Sequence, residues 1–186
     1  MEIPEWEEIA ILEGFGPYRL LYNPPSETVI VELRSIGEQF FPNQLYIRKK
    51  DSPRYEPIKN LEKMVSSESA VTSLEHPVLF YLSNKLTKMD EGFSGDLIGL
   101  YSFDLRKRTH LKIADKNSLR FRSPYVEGWI TGLVDVSADA SQLYLTVGMM
   151  SPNTSSGFRM VNHQLARMDL PTGDIHPISH LKGVFF

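Results

Sequence analysis

Leu165-Ala166-Arg167-Met168-Asp169-Leu170-Pro171-Thr172-Gly173-Asp174-Ile175-His176-Pro177-Ile178 reads as a strand, a tight turn and a returning strand. The same outline occurs twice more. Leu100-Tyr101-Ser102-Phe103-Asp104-Leu105 runs on to Ile113, and Leu45-Tyr46-Ile47 runs on to Ile58. In each copy a leucine stands thirteen positions before a closing isoleucine (178 − 165, 113 − 100 and 58 − 45). A repeat of this kind decides architecture before local propensity does.

Each copy is preceded by another apolar pair of strands. Tyr18–Tyr22 and Thr28–Leu33 flank Asn23-Pro24-Pro25-Ser26, a turn set by proline φ and by the asparagine side chain. Ile130–Val136 and Gln142–Val147 flank Ser137-Ala138-Asp139-Ala140-Ser141. Placing Leu20 on Val134 brings Val29 onto Leu143 without a gap. In the middle copy, Ala70–Leu74 and Val78–Leu82 flank Glu75-His76-Pro77. A polar stretch, Ser83–Asp96, then leads into Leu97–Leu105, and Arg106–Thr109 turns the chain back through His110–Ile113. The repeats span roughly 18–58, 70–113 and 130–178 within one domain, 1–186.

Between the repeats, 59–69 suits at most one amphipathic helical turn (Leu61, Met64, Val65). Asp115–Glu127 reads as a polar connection and Met149–Asn162 as a surface loop. Residues 4–13 suit a short N-terminal helix, with Pro4 in its first turn and Glu5, Glu7 and Glu8 at the positive end of its dipole. A strand across Ile9–Leu12 is the competing reading.

Asp135-Val136-Ser137-Ala138-Asp139-Ala140-Ser141-Gln142-Leu143-Tyr144-Leu145-Thr146 resembles the S-x-D-G-x-x-L-Y-x-T signature of TolB-like and WD40-like β-propeller repeats. Leu165–Asp174 resembles the outer hairpin of those families, L-x-x-x-D-L-x-T-G-x, and Leu100–Leu105 matches it again. Ala140 replaces the usual glycine of the first turn, and Lys49 stands where the hairpin aspartate falls. The resemblance implies an all-β fold of repeated antiparallel hairpins, propeller-like, with three to four blades or a partial, open array. Propellers close with typically 4–8 blades. Three arrangements satisfy the count: a piece of a longer ring, a ring closed by a second copy, or an open twisted sheet or sandwich.

The bulk numbers narrow the function. The chain has 186 residues, 41% of them apolar and 23% charged, enough for a buried core without staples. A net charge of -3 lacks the basic surplus of a nucleic-acid binder. Arg48-Lys49-Lys50 and Arg106-Lys107-Arg108 fall beside turns and read as solvated. The absence of cysteine excludes disulfides and thiolate metal sites. No apolar stretch reaches a membrane span, and the acidic N-terminus is unlike a signal peptide, so a cytoplasmic location and no membrane partner are expected.

No nucleophile elbow, phosphate loop or dinucleotide fingerprint is present. His176 and His180 have helical ligand spacing but bracket Pro177 at a strand end. Asp90, Glu91 and Asp96 lack the alternation of a calcium loop, and Asp135 and Asp139 flank one turn, where they stabilise it. No metal, cofactor or catalytic residue is expected. Phe93, Phe158, Phe185 and Phe186 are expected in loops or at the end of the chain, as a contact patch. The leading expectation is a non-catalytic protein-binding or assembly module that completes its sheet with a protein partner or by self-association. The alternative is a hydrolase or lyase with a site at the mouth of the array, drawing on Asp90, Asp96, Asp135 and His163.

Overall fold

The computed structural model describes residues 15–35, 44–52, 54–58, 70–89, 92–123, 126–150 and 160–178. The readings for 4–13 and 59–69 lie outside them. Among the described residues, thirteen strands form three antiparallel sheets, with a single 3-10 turn over Pro24–Ser26. Blade 1 is a meander of β1 (Phe15–Asn23), β2 (Thr28–Ser35), β3 (Gln44–Lys49) and β4 (Glu56–Pro57). Blade 2 repeats it with β5 (Ala70–Thr72), β6 (Val78–Met89), β7 (Gly92–Asp104) and β8 (Thr109–Asp115). Blade 3 contains β10 (Val126–Val136), β11 (Gln142–Met150), β12 (Met160–Asp169) and β13 (Ile175–Pro177). β9 (Arg120–Ser123) pairs with the start of β10 as a fifth strand.

The repeat holds bond by bond. Tyr22 faces Val29, Thr72 faces Leu79 and Val136 faces Leu143, so the blades align at the turn; two positions farther out Leu20 faces Val31 but Leu133, not Val134, faces Leu145, because β10 bulges between Leu133 and Asp135. Lys50 N–H donates to the Glu27 carbonyl, Leu105 N–H to Pro77 and Leu170 N–H to Ser141, closing the second and third strands at equivalent places. The closing isoleucines return to their leucines: Ile58 N–H donates to Leu45 O at 2.9 Å and Ile178 N–H to Leu165 O at 3.0 Å. In blade 2 the register shifts at Leu100/Tyr101, and Ile113 sits in the bulge.

Sheet alternation stacks the blades. Side chains point to opposite faces along a strand, and β6 shows both. Leu79 and Tyr81 join Ile30, Leu45, Ile47 and Ile58 of blade 1 in one core. Phe80 and Leu82 join Ile130, Leu133, Leu143 and Met168 of blade 3 in a second. Blade 2 is therefore apolar on both faces, which is why Val78–Leu82 is a continuous apolar run rather than an alternating one. The three sheets stack face to face, not as one open twisted sheet.

Four sequence readings need correction. Ser83–Asp96 is not a connection: β6 and β7 continue as one long hairpin to Met89 opposite Gly92. Ladder bonds come from the backbone, so a polar stretch pairs as well as an apolar one. Lys85 pairs with Asp96 and Thr87 with Ser94 in the backbone register. Phe93 accordingly lies on β7 opposite Lys88, not in a loop. Asp115–Glu127 likewise contains β9, and Met149–Asn162 begins and ends in strand.

Candidate functional site

The turns between the first two strands of each blade are built on one polar position. Asn23, Ser73 and Ser137 each stand five residues before the start of the second strand. Asn23 is fully buried; its Oδ1 accepts from the Ser26 N–H and hydroxyl. Its amide donates across to blade 2, to Thr72 Oγ1 at 2.9 Å, Ser73 O at 2.8 Å and His76 O at 2.8 Å. Ser73 Oγ in turn donates to Ala138 O of blade 3 at 2.7 Å, joined by the Glu75 N–H at 3.2 Å. A relay of hydrogen bonds therefore runs in one direction along the stack, and Arg19 Nη1 donating to Ala70 O strengthens its first step. Sequence reading found the turns but not this relay; its signal was the polar residue recurring at one register position.

Beside the relay lies a shallow groove of about 430 Å³ along the seam of blades 2 and 3. His76, Ser102, Asp104, Lys107, Thr109 and Asp139 supply its polar wall. Both carboxylates serve turns. Asp104 Oδ1 accepts the N–H groups of Arg106 and Lys107, with Lys107 Nζ 3.9 Å from Oδ2. Asp139 Oδ1 accepts from the Ser137 hydroxyl at 2.7 Å and from Ser141 N–H and hydroxyl. Those bonds, the Ser137 hydroxyl first, hold the Asp139 carboxyl below its ordinary range. Asp115 is lowered for the same reason, by the N–H groups of Ser118 and Asn117. These are turn carboxylates rather than a poised acid and base.

Of the residues an enzyme cleft would draw on, Asp135 and His163 stand at different places along blade 3. Asp135 faces Tyr144 on β11, whereas His163 faces Gly148, four residues and about 13 Å farther along that strand. Asp96 lies on the extension of blade 2 opposite Lys85. Asp135 accepts from the Val136 N–H, as a residue flanking a turn. Asp90, Phe158, His180, Phe185 and Phe186 lie outside the described residues. Among the described residues no group of three His, Asp or Glu side chains is placed to hold a metal ion.

The remaining candidate surfaces are the two end faces of the stack. On blade 1, Tyr18, Leu20 and Tyr22 alternate along β1 on the side away from blade 2 and are exposed. On blade 3, Leu165 and Ile178 are exposed away from blade 2, with Tyr144 in the same face. Arg167 and His176 stand at one edge, both contacting Asp169, Arg167 Nε at 3.3 Å and His176 Nε2 at 3.4 Å. An apolar centre with a polar rim is the layout of a protein interface.

Three face-to-face four-stranded meanders make this a β-propeller-like protein. No protein-family model and no curated protein matches the chain. Among solved structures it resembles an oligogalacturonate lyase in complex with manganese, at 13% identity and a TM-score of 0.43, over 87% of this chain and 37% of that one. It also resembles TolB from Acinetobacter baumannii, at 12% identity and a TM-score of 0.35, over 88% of this chain and 43% of that one. Both resemblances are weak and partial. The chain spans less than half the length of either structure, and the fold assignment here rests on the sheets themselves.

Proposed function

We propose that the chain is a non-catalytic binding or assembly module that works through the end faces of its blade stack. One observation carries this reading: the apolar residues repeated inside the two cores recur, exposed, at both ends of the stack. Exposed apolar surface rimmed by polar groups is what association covers. The two carboxylates of the groove, by contrast, are engaged in local turns.

Photo-crosslinking tests this reading. A photoreactive phenylalanine analogue is placed at Leu165, at Tyr22 or, as an exposed control, at Asn117. After irradiation in cell extract, adducts are identified by mass spectrometry. Specific adducts from Leu165 or Tyr22, absent from Asn117, are expected. Equal labelling from all three positions sinks the proposal.

A further inference from the structure

We infer that the exposed face of blade 3 docks the exposed face of blade 1 from a second copy of this chain, so that two copies close a six-blade ring. This deepens the reading above and rests on it. The repeat itself supplies the argument, because each position can be compared in a covered and an uncovered blade.

The side of each blade that meets the next one carries the repeat leucine and isoleucine. Leu45 in blade 1 and Leu100 in blade 2 are 2% and 0% exposed; their counterpart Leu165 in blade 3 is 39% exposed. Ile58 is 6% exposed and Ile113 is packed against the second core, whereas Ile178 is 51% exposed. The side that meets the previous blade behaves likewise. Ala70 of blade 2 is 0% exposed and its counterpart Leu20 in blade 1 is 60% exposed. Val136 of blade 3 is 6% exposed and its counterpart Tyr22 is 52% exposed. The surface left open on blade 3 is thus the kind of surface that blades 1 and 2 present to a following blade. The surface left open on blade 1 is the kind that blades 2 and 3 present to a preceding one.

A second copy supplies both partners at once. Blade 3 of each copy meets blade 1 of the other, giving two identical contacts related by a twofold axis, and the three described blades of each copy together fall within the range of closed propellers. The turn relay runs from blade 1 to blade 2 and from blade 2 to blade 3; Ser137, the counterpart of the donor Ser73, gives its hydroxyl to Asp139, so the relay ends within the copy and the contact between copies rests on the apolar positions. Val31, directly across from Leu20, and Leu33 beyond it, on the same side of blade 1, are already buried. The contact is therefore a strip along β1 rather than a whole sheet face, and its affinity belongs in the weak, concentration-dependent class.

Light scattering coupled to size-exclusion chromatography, from low to several hundred micromolar, reads the outcome. The wild-type mass is expected to double with concentration and stop there. Leu165→Asp with Ile178→Asp, and separately Leu20→Asp with Tyr22→Asp, should each remain monomeric, since each removes both contacts. All four side chains are exposed, so melting curves should stay close to wild type and exclude misfolding. An equimolar mixture of the two double variants should dimerise again, because one intact face of each kind remains. A monomeric wild type, a dimer indifferent to the substitutions, a mixture that stays monomeric, or a mass that climbs without limit each overturns the ring. A monomer that still crosslinks other proteins through Leu165 overturns only the second copy as occupant. A monomer without such adducts removes the assembly reading as well.

Discussion

Ala140 holds a left-handed backbone with φ 55, in the position where the resembling repeats carry glycine. A β-carbon in that region costs on the order of 1–2 kcal/mol, and glycine gives back part of this through a more flexible unfolded chain. Ala140→Gly is therefore expected to stabilise the protein by about 0.5–1 kcal/mol, a rise in melting temperature of roughly 2–4 °C per kcal/mol at this chain length. Calorimetry checks it; a lower melting temperature shows that the methyl group's packing against the second core matters more. Asn23 is the opposite case, a side chain already at its optimum. Asn23→Ala removes bonds to two blades and strands buried carbonyls, for a loss of about 3 kcal/mol. Asn23→Asp should be at least as damaging in denaturant titration, since it keeps the acceptor for Ser26 but turns a carboxylate toward three acceptors. Asp139 sets a pH dependence. Its folded carboxyl titrates below the ordinary range, so its stabilisation is complete above the unfolded value and is lost as pH falls through the folded one. Melting temperatures of wild type and Asp139→Asn should differ at neutral pH and converge in acid; a constant gap contradicts the assignment.

At the scale of the strand and hairpin, the recurring leucine and isoleucine were readable because both are defined by backbone pairing. Thirteen residues is the length of a strand, a turn and a return, and alternation fixes the face. The turn at Pro171–Asp174 was readable for a similar reason, with Gly173 at φ 76; Arg108 takes the equivalent place in blade 2 at φ 58. The long β6–β7 arm was not readable, since Lys85, Thr87, Ser94 and Asp96 carry no apolar period and their pairing follows from the opposite strand alone. The face positions Leu20 and Tyr22 were hidden too: in the sequence they are ordinary strand residues, and only the neighbouring sheet shows which side is covered. Gly99 belongs at this scale. A β-carbon there would stand 2.4 Å from the Ala114 carbonyl oxygen, a backbone atom that cannot turn aside. Gly99→Ala must part β7 from β8, for a loss of about 1–3 kcal/mol. An unchanged urea midpoint would show that the bulge at Leu100/Tyr101 absorbs the displacement.

At the scale of the molecule the stack is close to one-dimensional: each core is shared by two neighbouring blades, and blade 2 alone contributes to both. Stability in such an array is a sum of units and nearest-neighbour interfaces, so the end units open first. Opening blade 1 gives up the core around Ile30 and Leu45, and opening blade 3 gives up the core around Leu133 and Leu143. Opening blade 2 gives up both. Amide hydrogen exchange in dilute solution should therefore be slowest at Leu79–Ser83 and Leu100–Leu105, with β1 and β12 exchanging through cheaper local openings. Raising the concentration adds a second test within the same measurement. Contact between the end faces should slow exchange selectively in β1 and β12 and leave blade 2 unchanged, because its amides are already limited by loss of both cores. Equal protection in all three blades would mean that the stack unfolds as one cooperative unit, with the turn relay through Asn23 and Ser73 coupling the blades more strongly than their separate cores suggest.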